Sequence, residues 1–227
     1  MPRVLIVVPT YNERDNVREI ALRLLVALPD IELLFVDDDS PDGTGALLDE
    51  LAAAQPHIHV LHRGGKLGLG TAYLEGFRWG LARGFDYLFE MDADGSHDPR
   101  YLSQMLALAE DGADVVVGSR YVPGGGTENW GFGRTLLSRG GSLYARTILG
   151  VELRDVTAGF ICWRRTALEA IDLSTITSNG YSFQIEMKYR ALKRNLRVVE
   201  TPIVFVDRRV GQSTMSRAIF VEALLKV

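Results

Sequence analysis

LLFVDDDSPDGT, residues 33–44, runs from four consecutive apolar residues into three aspartates and an Asp-Gly turn. A short continuous apolar run is what a strand buried on both faces requires. Asp, Ser, Pro and Gly packed behind it mark a turn. The arrangement recurs on either side. Val4–Val8 leads into Pro9-Thr10-Tyr11-Asn12-Glu13, and Tyr87–Met91 leads into Asp92-Ala93-Asp94-Gly95-Ser96-His97. Helical patterns lie between these runs. Arg14–Leu28 carries Val17, Ile20, Ala21, Leu24, Leu25 and Leu28 at helical spacing, with Asn12 in a capping position. Gly45–Ala54, Leu69–Arg83 and Pro99–Glu110, which has proline at its first position, read as further helices. Ile58–Leu61 and Val115–Gly118 read as strands. This alternation predicts an α/β fold, a mostly parallel central sheet with helices on both faces. After Gly118 the pattern loosens into PGGG at 123–126 and an apolar and basic stretch at 134–149. A strand near Phe160–Trp163, a helix over Phe183–Arg194, strands over Arg197–Val206 and a last helix from Arg217 follow. No linker or repeat divides the 227 residues, so one domain is expected.

Composition narrows the class. The single cysteine, Cys162, rules out an intrachain disulfide and a cysteine zinc site, and sits in an apolar strand as inert core. A reducing compartment is expected, with no secretory leader and no apolar run long enough to span a bilayer. Residues 1–118 hold 9 basic and 20 acidic side chains, while residues 119–227 hold 16 and 9, so −11 and +7 make up the net charge of −4. An acidic half suits a cation and a basic half an anionic partner. No basic run with interleaved aromatics occurs, so no nucleic-acid partner is expected.

In open parallel sheets ligands bind beyond the carboxyl ends of the strands. Three such ends are acidic here. Adjacent aspartates repel unless a cation or strong donors offset them, and Asp37–Asp42 also suits a turn and helix cap. Asp92-x-Asp94 is the sharper signal, since paired carboxylates after an apolar strand can hold Mg²⁺ or Mn²⁺ together with a substrate's phosphates. The loop is not an EF-hand, whose glycine falls at position six. The lysine and acidic partners of an aspartyl-phosphate phosphatase are missing. Gly68-Leu69-Gly70 lacks the third glycine of a dinucleotide fingerprint, and no phosphate-binding P-loop exists. His57, His59 and His62 are expected in or beside a strand, and His97 in the candidate site, where a supporting and a direct role are both open.

VVPTYNE at 7–13, DDDSPDGT at 37–44, KLGLGTA at 66–72, MDADGSHDP at 91–99 and VGSRYV at 117–122 resemble family-2 glycosyltransferases of the GT-A nucleotide-diphospho-sugar transferase fold. ENWGFGRTLLSRG at 128–140, DVTAGF at 155–160, NGYSFQIEMKYRA at 179–191 and FVDRRVGQSTMS at 205–216 are similar to polyprenyl-phosphate mannosyltransferases, the dolichyl-phosphate mannose synthases and their prokaryotic relatives. The resemblance covers nearly the whole chain. It implies a nucleotide-sugar half at 1–118 and an acceptor half at 119–227. It implies transfer of mannose from GDP-mannose to a polyprenyl or dolichyl monophosphate, inverting and metal-dependent. Pro9, Tyr11 and Glu13 would cradle the nucleoside, and Val36 and Asp38 would read the base. Asp92, Asp94 and Ser96 would hold Mg²⁺ or Mn²⁺, with the small Ala93 between them. Arg208 would close over the diphosphate. Thr214 stands where relatives commonly carry lysine, a lost cation near the leaving group. Arg120, Arg134 and Ser138 match the family's acceptor-phosphate residues, with Asp92, Asp94 and Arg120 at the chemistry and Arg139 as a neighbour.

A phosphate monoester is anionic at neutral pH, so it needs positioning cations rather than a general base. Its lipid tail implies peripheral contact with the cytoplasmic face of a membrane. Leu136–Leu149 and the helix from Ala218 are the candidate interfacial stretches, and an accessory membrane subunit is a further implied partner. Two alternatives remain at this level. One is a UDP-sugar-dependent transferase, for instance a glucosyltransferase, acting on a polyprenyl phosphate. The other is a family-2 transferase with a soluble acceptor, recruiting Asp155 or Glu186 as base. A non-catalytic sugar- or nucleotide-binding module is disfavoured by the complete motif set.

Overall fold

The computed structural model describes residues 2–207. Seven strands form one sheet: β1 (Val4–Thr10), β2 (Ile31–Asp37), β3 (Ile58–His62), β4 (Tyr87–Glu90), β5 (Val115–Ser119), β7 (Ile161–Arg164) and β8 (Val198–Pro202), in the order β3-β2-β1-β4-β7-β5-β8. All neighbours run parallel except β7, which is antiparallel to both β4 and β5. The short β6 (Gly126–Glu128) and β9 (Val204–Val206) pair separately. The helices are α1 (Arg14–Ala27), α2 (Thr44–Ala54), α3 (Leu69–Ala82), α4 (Leu102–Glu110), α5 (Phe132–Leu149), α6 (Arg165–Ile171) and α7 (Gly180–Lys193).

The central strands are apolar on both sides because each side is covered. Ile6, Val8, Leu33 and Phe35 pack with Val17, Leu24, Leu48 and Met105 in one layer. Leu5, Val7, Leu34 and Val36 pack with Tyr73, Phe77, Phe183 and Met187 in the other. Period-two alternation therefore sorts one continuous apolar run between two cores. Register sets Thr10 beside Asp37, and Asp37 beside His62. The acidic termini of β1, β2 and β4 thus share one rim of the sheet.

Several local expectations are corrected. Asn12 does not cap α1: it turns the chain at a φ of 59°, and Glu13 takes the cap position, its side chain bonding Asn16 rather than a backbone amide of the first turn. Residues 99–110 begin as a 3₁₀ turn at Pro99–Tyr101, capped by Asp98, before α4 starts. The helix α6 and the strand β6 have weak periodicity and were not anticipated, nor was the reversed direction of β7.

Two glycines bring α3 close to the sheet. A Cβ on Gly76 would lie 2.4 Å from Val7 Cγ1, and one on Gly80 2.6 Å from Leu88 Cδ2. Gly76→Ala should therefore destabilise the protein by about 1–3 kcal/mol, the usual penalty for overpacking. Urea denaturation would read this as a lower midpoint at unchanged slope.

Candidate active site

The loop after β4 is organised by burial of its odd members. Met91 and Ala93 enter the core, which turns Asp92 and Asp94 toward the rim. Gly95 adopts a φ of 75°, and Ser96 N–H then donates to Asp94 Oδ1 at 3.0 Å. Tyr73 of α3 donates its hydroxyl to Asp92 at 3.2 Å. The Asp92 amide donates to His97 Nδ1 at 3.1 Å, so the ring carries its proton on Nε2. His97 is 2% exposed, its ring centroid 5.0 Å from that of Phe160. Burial drives its pKa down to about 4, against the pull of Asp94. Neutral and bonded to the Asp92 amide, it braces the loop from behind.

The fit of a hard cation can be judged from oxygen donors. Ser96 Oγ is buried and has no hydrogen-bond partner among the described residues. Such an orphan beside two carboxylates suits a divalent ion. Among the described residues no group of three or more acidic, histidine or cysteine side chains could hold a metal alone. Substrate phosphates and water would complete a Mg²⁺ or Mn²⁺ shell, as these ions commonly require.

Of the acidic residues after β2, Asp37, Asp38 and Asp42 are met by strong donors, one of the two ways in which their repulsion can be offset. Asp37 accepts from Thr10 Oγ1 at 3.0 Å and from Ser40 Oγ at 2.6 Å. Asp42 accepts from Thr44 Oγ1 at 2.6 Å and from the Thr44 amide at 2.9 Å. Asp38 accepts from Arg63 Nη1 at 2.6 Å and from the amides of Leu67 and Gly68 at 3.1 and 3.2 Å. Its carboxylate is thus engaged in fixing the 64–68 loop, and Arg63 in turn reaches Thr71 at 2.5 Å. The Val36 side chain is wholly buried in the core. Pro9 and Tyr11 are part-exposed at the rim, with Lys66 Nζ 4.1 Å from the Tyr11 ring centroid. Glu13 accepts from Asn16 at 2.6 Å.

Across the rim, Arg120 is a paired cation rather than an open one. It is 7% exposed, and its Nε and Nη2 each lie 2.7 Å from the fully buried Asp155 carboxylate. Its amide also donates to Asp155, and Nη2 reaches Thr157 Oγ1 at 2.9 Å. Burial alone would raise the Asp155 pKa, but the Arg120 charge and hydrogen bonds hold it below the usual aspartate range. Tyr121 donates its hydroxyl to Ser138 of α5 at 2.6 Å. The guanidinium carbons of Arg120 and Arg139 lie 5.1 and 5.6 Å from the Tyr121 ring centroid. Arg134 lies in the first turn of α5. Arg208 and Thr214 lie outside the described residues, as does the helix expected from Arg217.

Behind both groups lies a buried polar cluster. Glu90 accepts from Trp163 Nε1 at 2.6 Å and from Gln184 Nε2 at 2.5 Å. Lys188, 1% exposed, donates to the carbonyls of Val156, Ala158 and Gln184 at 3.1, 2.7 and 3.1 Å. Burial raises the Glu90 pKa and lowers that of Lys188, each opposed by the other's charge.

Residues 5–172 match the model of Glycosyl transferase family 2. The chain belongs to that family. The transferase is 52% identical over 226 residues to the polyprenol monophosphomannose synthase of Mycolicibacterium smegmatis, covering 99% of this chain and 85% of that one. It is 51% identical over 225 residues to the undecaprenyl-phosphate mannosyltransferase of Micrococcus luteus, covering 99% and 92%. A mannosyltransferase from Pyrobaculum calidifontis, solved in complex with GDP-Man and Mn²⁺, shares the GT-A fold at a TM-score of 0.61 and 17% identity, covering 93% of this chain and 58% of that one. The GT-A assignment and the family resemblance read from the motifs both hold.

Sequence reasoning missed Tyr73, Arg63, Tyr121, Thr157, Gln184 and Lys188. Each lies within or beside a quoted motif, but its role depends on a partner distant in the chain. Asp155→Asn should destabilise the transferase by about 3–5 kcal/mol, because it leaves the buried Arg120 charge uncompensated. The Asp155 pKa is depressed on folding, so its stabilisation is present above the ordinary aspartate value of about 3.9 and lost as pH falls through the depressed value. Thermal melts from pH 7 downward should show an acid-induced loss in the wild type that is reduced in Asp155→Asn.

Proposed function

We propose that the transferase moves mannose from GDP-mannose to a polyprenyl or dolichyl monophosphate, with inversion at the anomeric carbon. The observation that carries this is the state of the candidate bases. Asp155 is locked on Arg120, and Glu186 on Arg190 at 2.5 Å and the Ser178 amide at 3.2 Å. His97 is buried and weakly basic. A hydroxyl acceptor needs a base to take its proton, whereas a phosphate monoester arrives already anionic. The cations Arg120 and Arg139, flanking Tyr121 and Ser138, suit such an anion. The names of the mycobacterial and Micrococcus relatives support the same acceptor and sugar.

In this reading Pro9, Tyr11 and Glu13 line the nucleoside. Asp38 acts through Arg63 and the 64–68 loop rather than on the base alone. Asp92, Asp94 and Ser96 would hold Mg²⁺ or Mn²⁺, which neutralises charge on the departing diphosphate when bound. Arg120, Arg134 and Ser138, with Arg139, orient the acceptor phosphate so that its oxygen approaches the face of the anomeric carbon opposite the diphosphate. An α-linked donor then yields a β-linked mannosyl phosphate. The GDP-Man and Mn²⁺ of the Pyrobaculum complex support the donor and the metal.

The transferase works at the cytoplasmic face of a membrane. Helix α5 directs Ser138, Ser142 and Ala145 inward and leaves Leu136, Leu137, Leu143, Tyr144 and Ile148 exposed, Leu136 by 62% and Leu143 by 61%. The helix carries three arginines and no acidic residue. An outward apolar face with a basic flank suits an anionic lipid surface. Among the described residues no helix is long and apolar enough to cross a membrane.

Labelled sugar offered as GDP-mannose, UDP-glucose or UDP-GlcNAc, with a short polyprenyl phosphate, tests the chemistry. Mannolipid is expected from GDP-mannose alone, abolished by EDTA and restored by Mn²⁺. Product only from a UDP-sugar would overturn the mannose assignment, and transfer to a free sugar hydroxyl the acceptor assignment. Replacing Leu136, Leu143 and Ile148 together by serine should weaken co-sedimentation with anionic vesicles by at least about tenfold, while leaving the far-UV spectrum unchanged.

A further inference from the structure

The ammonium of Lys188 grips the chain on both sides of Thr157. Its bonds go to the carbonyls of Val156 and Ala158, the residues bracketing that threonine. Thr157 Oγ1 in turn receives Arg120 Nη2 at 2.9 Å and lies 3.3 Å from Ser142 Oγ of α5. On its other side Lys188 bonds to the carbonyl of Gln184, whose amide holds Glu90 just ahead of Asp92. A buried lysine is rare, because an ammonium out of water must be met by acceptors and a counter-charge. Three backbone carbonyls meet it here, and Glu90 and Asp155 supply the charge. Nothing in the catalytic reading uses this group. Its contacts do reach the two elements that carry the acceptor side, the Arg120 guanidinium and the inner face of α5.

We infer that Lys188 is a positioning residue for the acceptor: by clamping residues 156–158 it sets Thr157, and through Thr157 the orientation of Arg120 and the seating of α5. This rests on the acceptor reading above for its kinetic consequence, but not for its structural one. A methionine at 188 keeps the volume and loses the donors. The carbonyls of Val156 and Ala158 would then lose their common partner, and Thr157 would lose its fixed height between Arg120 and Ser142. On the donor side Glu90 loses a counter-charge but keeps Trp163 and Gln184 as donors, and Asp38, Arg63 and the core anchors Met91 and Ala93 are not in contact with Lys188, so donor affinity should change little.

The test is Lys188→Met with Thr157→Val, which removes the last link without burying an unmet charge. Michaelis constants for GDP-mannose and for polyprenyl phosphate are measured separately on the full chain. The Arg120 Nε–H signal is followed in ¹⁵N spectra, assigned through Arg120→Lys. Lys188→Met should raise the acceptor constant by about tenfold with the donor constant within about twofold. Thr157→Val should raise the acceptor constant by about threefold, and the double variant should be no worse than Lys188→Met, since both lie on one chain of contacts. The Arg120 signal should shift in both single variants. Donor and acceptor constants rising together, or an Arg120 signal unmoved in the variants, would overturn the inference. If Lys188→Met does not fold, Thr157→Val decides alone by the same two readings. If the wild type transfers nothing to polyprenyl phosphate, the acceptor reading fails, while the Arg120 signal still decides the role of Lys188.

Discussion

The bidentate pairing of Arg120 with Asp155 is the interaction on which this end of the sheet depends. It joins the end of β5 to the turn before β7, two pieces of chain that no β-α-β unit would otherwise bring together. Both charges are buried, so neither is tolerated without the other. Thr157, Tyr121 and the inner face of α5 are then arranged around the guanidinium. An arginine held this way keeps a fixed plane and direction, which a solvated arginine does not.

The ends of β2 and β4 solve a different electrostatic problem. Three consecutive aspartates stand at the end of β2, and each of the two buried ones is met by its own donors. Among the described residues the buried hydroxyl of Ser96, close to Asp94, has no hydrogen-bond partner. The carboxylates of Asp37 and Asp38 hold loops, whereas Asp92 and Asp94 are turned toward the rim. Spacing in the sequence does not separate them, since both sets follow an apolar strand.

Helix α5 carries the remaining asymmetry. A helix on a protein surface normally buries its apolar stripe. Here small and hydroxyl residues pack inward and leucines face out. The inward hydroxyls are the ones that meet Tyr121 and Thr157, so the face that builds the polar site cannot also be the greasy one. The same helix thereby has a polar inner side and an apolar outer one.

The α/β architecture, the order of most elements and the acidic rim were readable from Val4–Val8, Leu33–Val36 and Tyr87–Met91, because a buried strand followed by a polar stop is a local property. The D-x-D loop was equally clear, since two carboxylates and a glycine in one turn are contiguous. Val36, Asp38 and Arg120 show the limit. Whether a side chain at a strand end enters the core, holds a loop or faces a ligand depends on what packs against it from elsewhere. Val36 lies in the core with Tyr73 and Phe183, Asp38 is met by Arg63, and Arg120 by Asp155, 35 positions away. The direction of β7 and the partners of Lys188 are of the same kind. Sequence by itself determined which residues form strands, helices and charged turns, through propensity and periodicity that act within a few residues. Only the tertiary structure decided which charges are paired and which remain for chemistry, because that depends on long-range contacts and the burial they create.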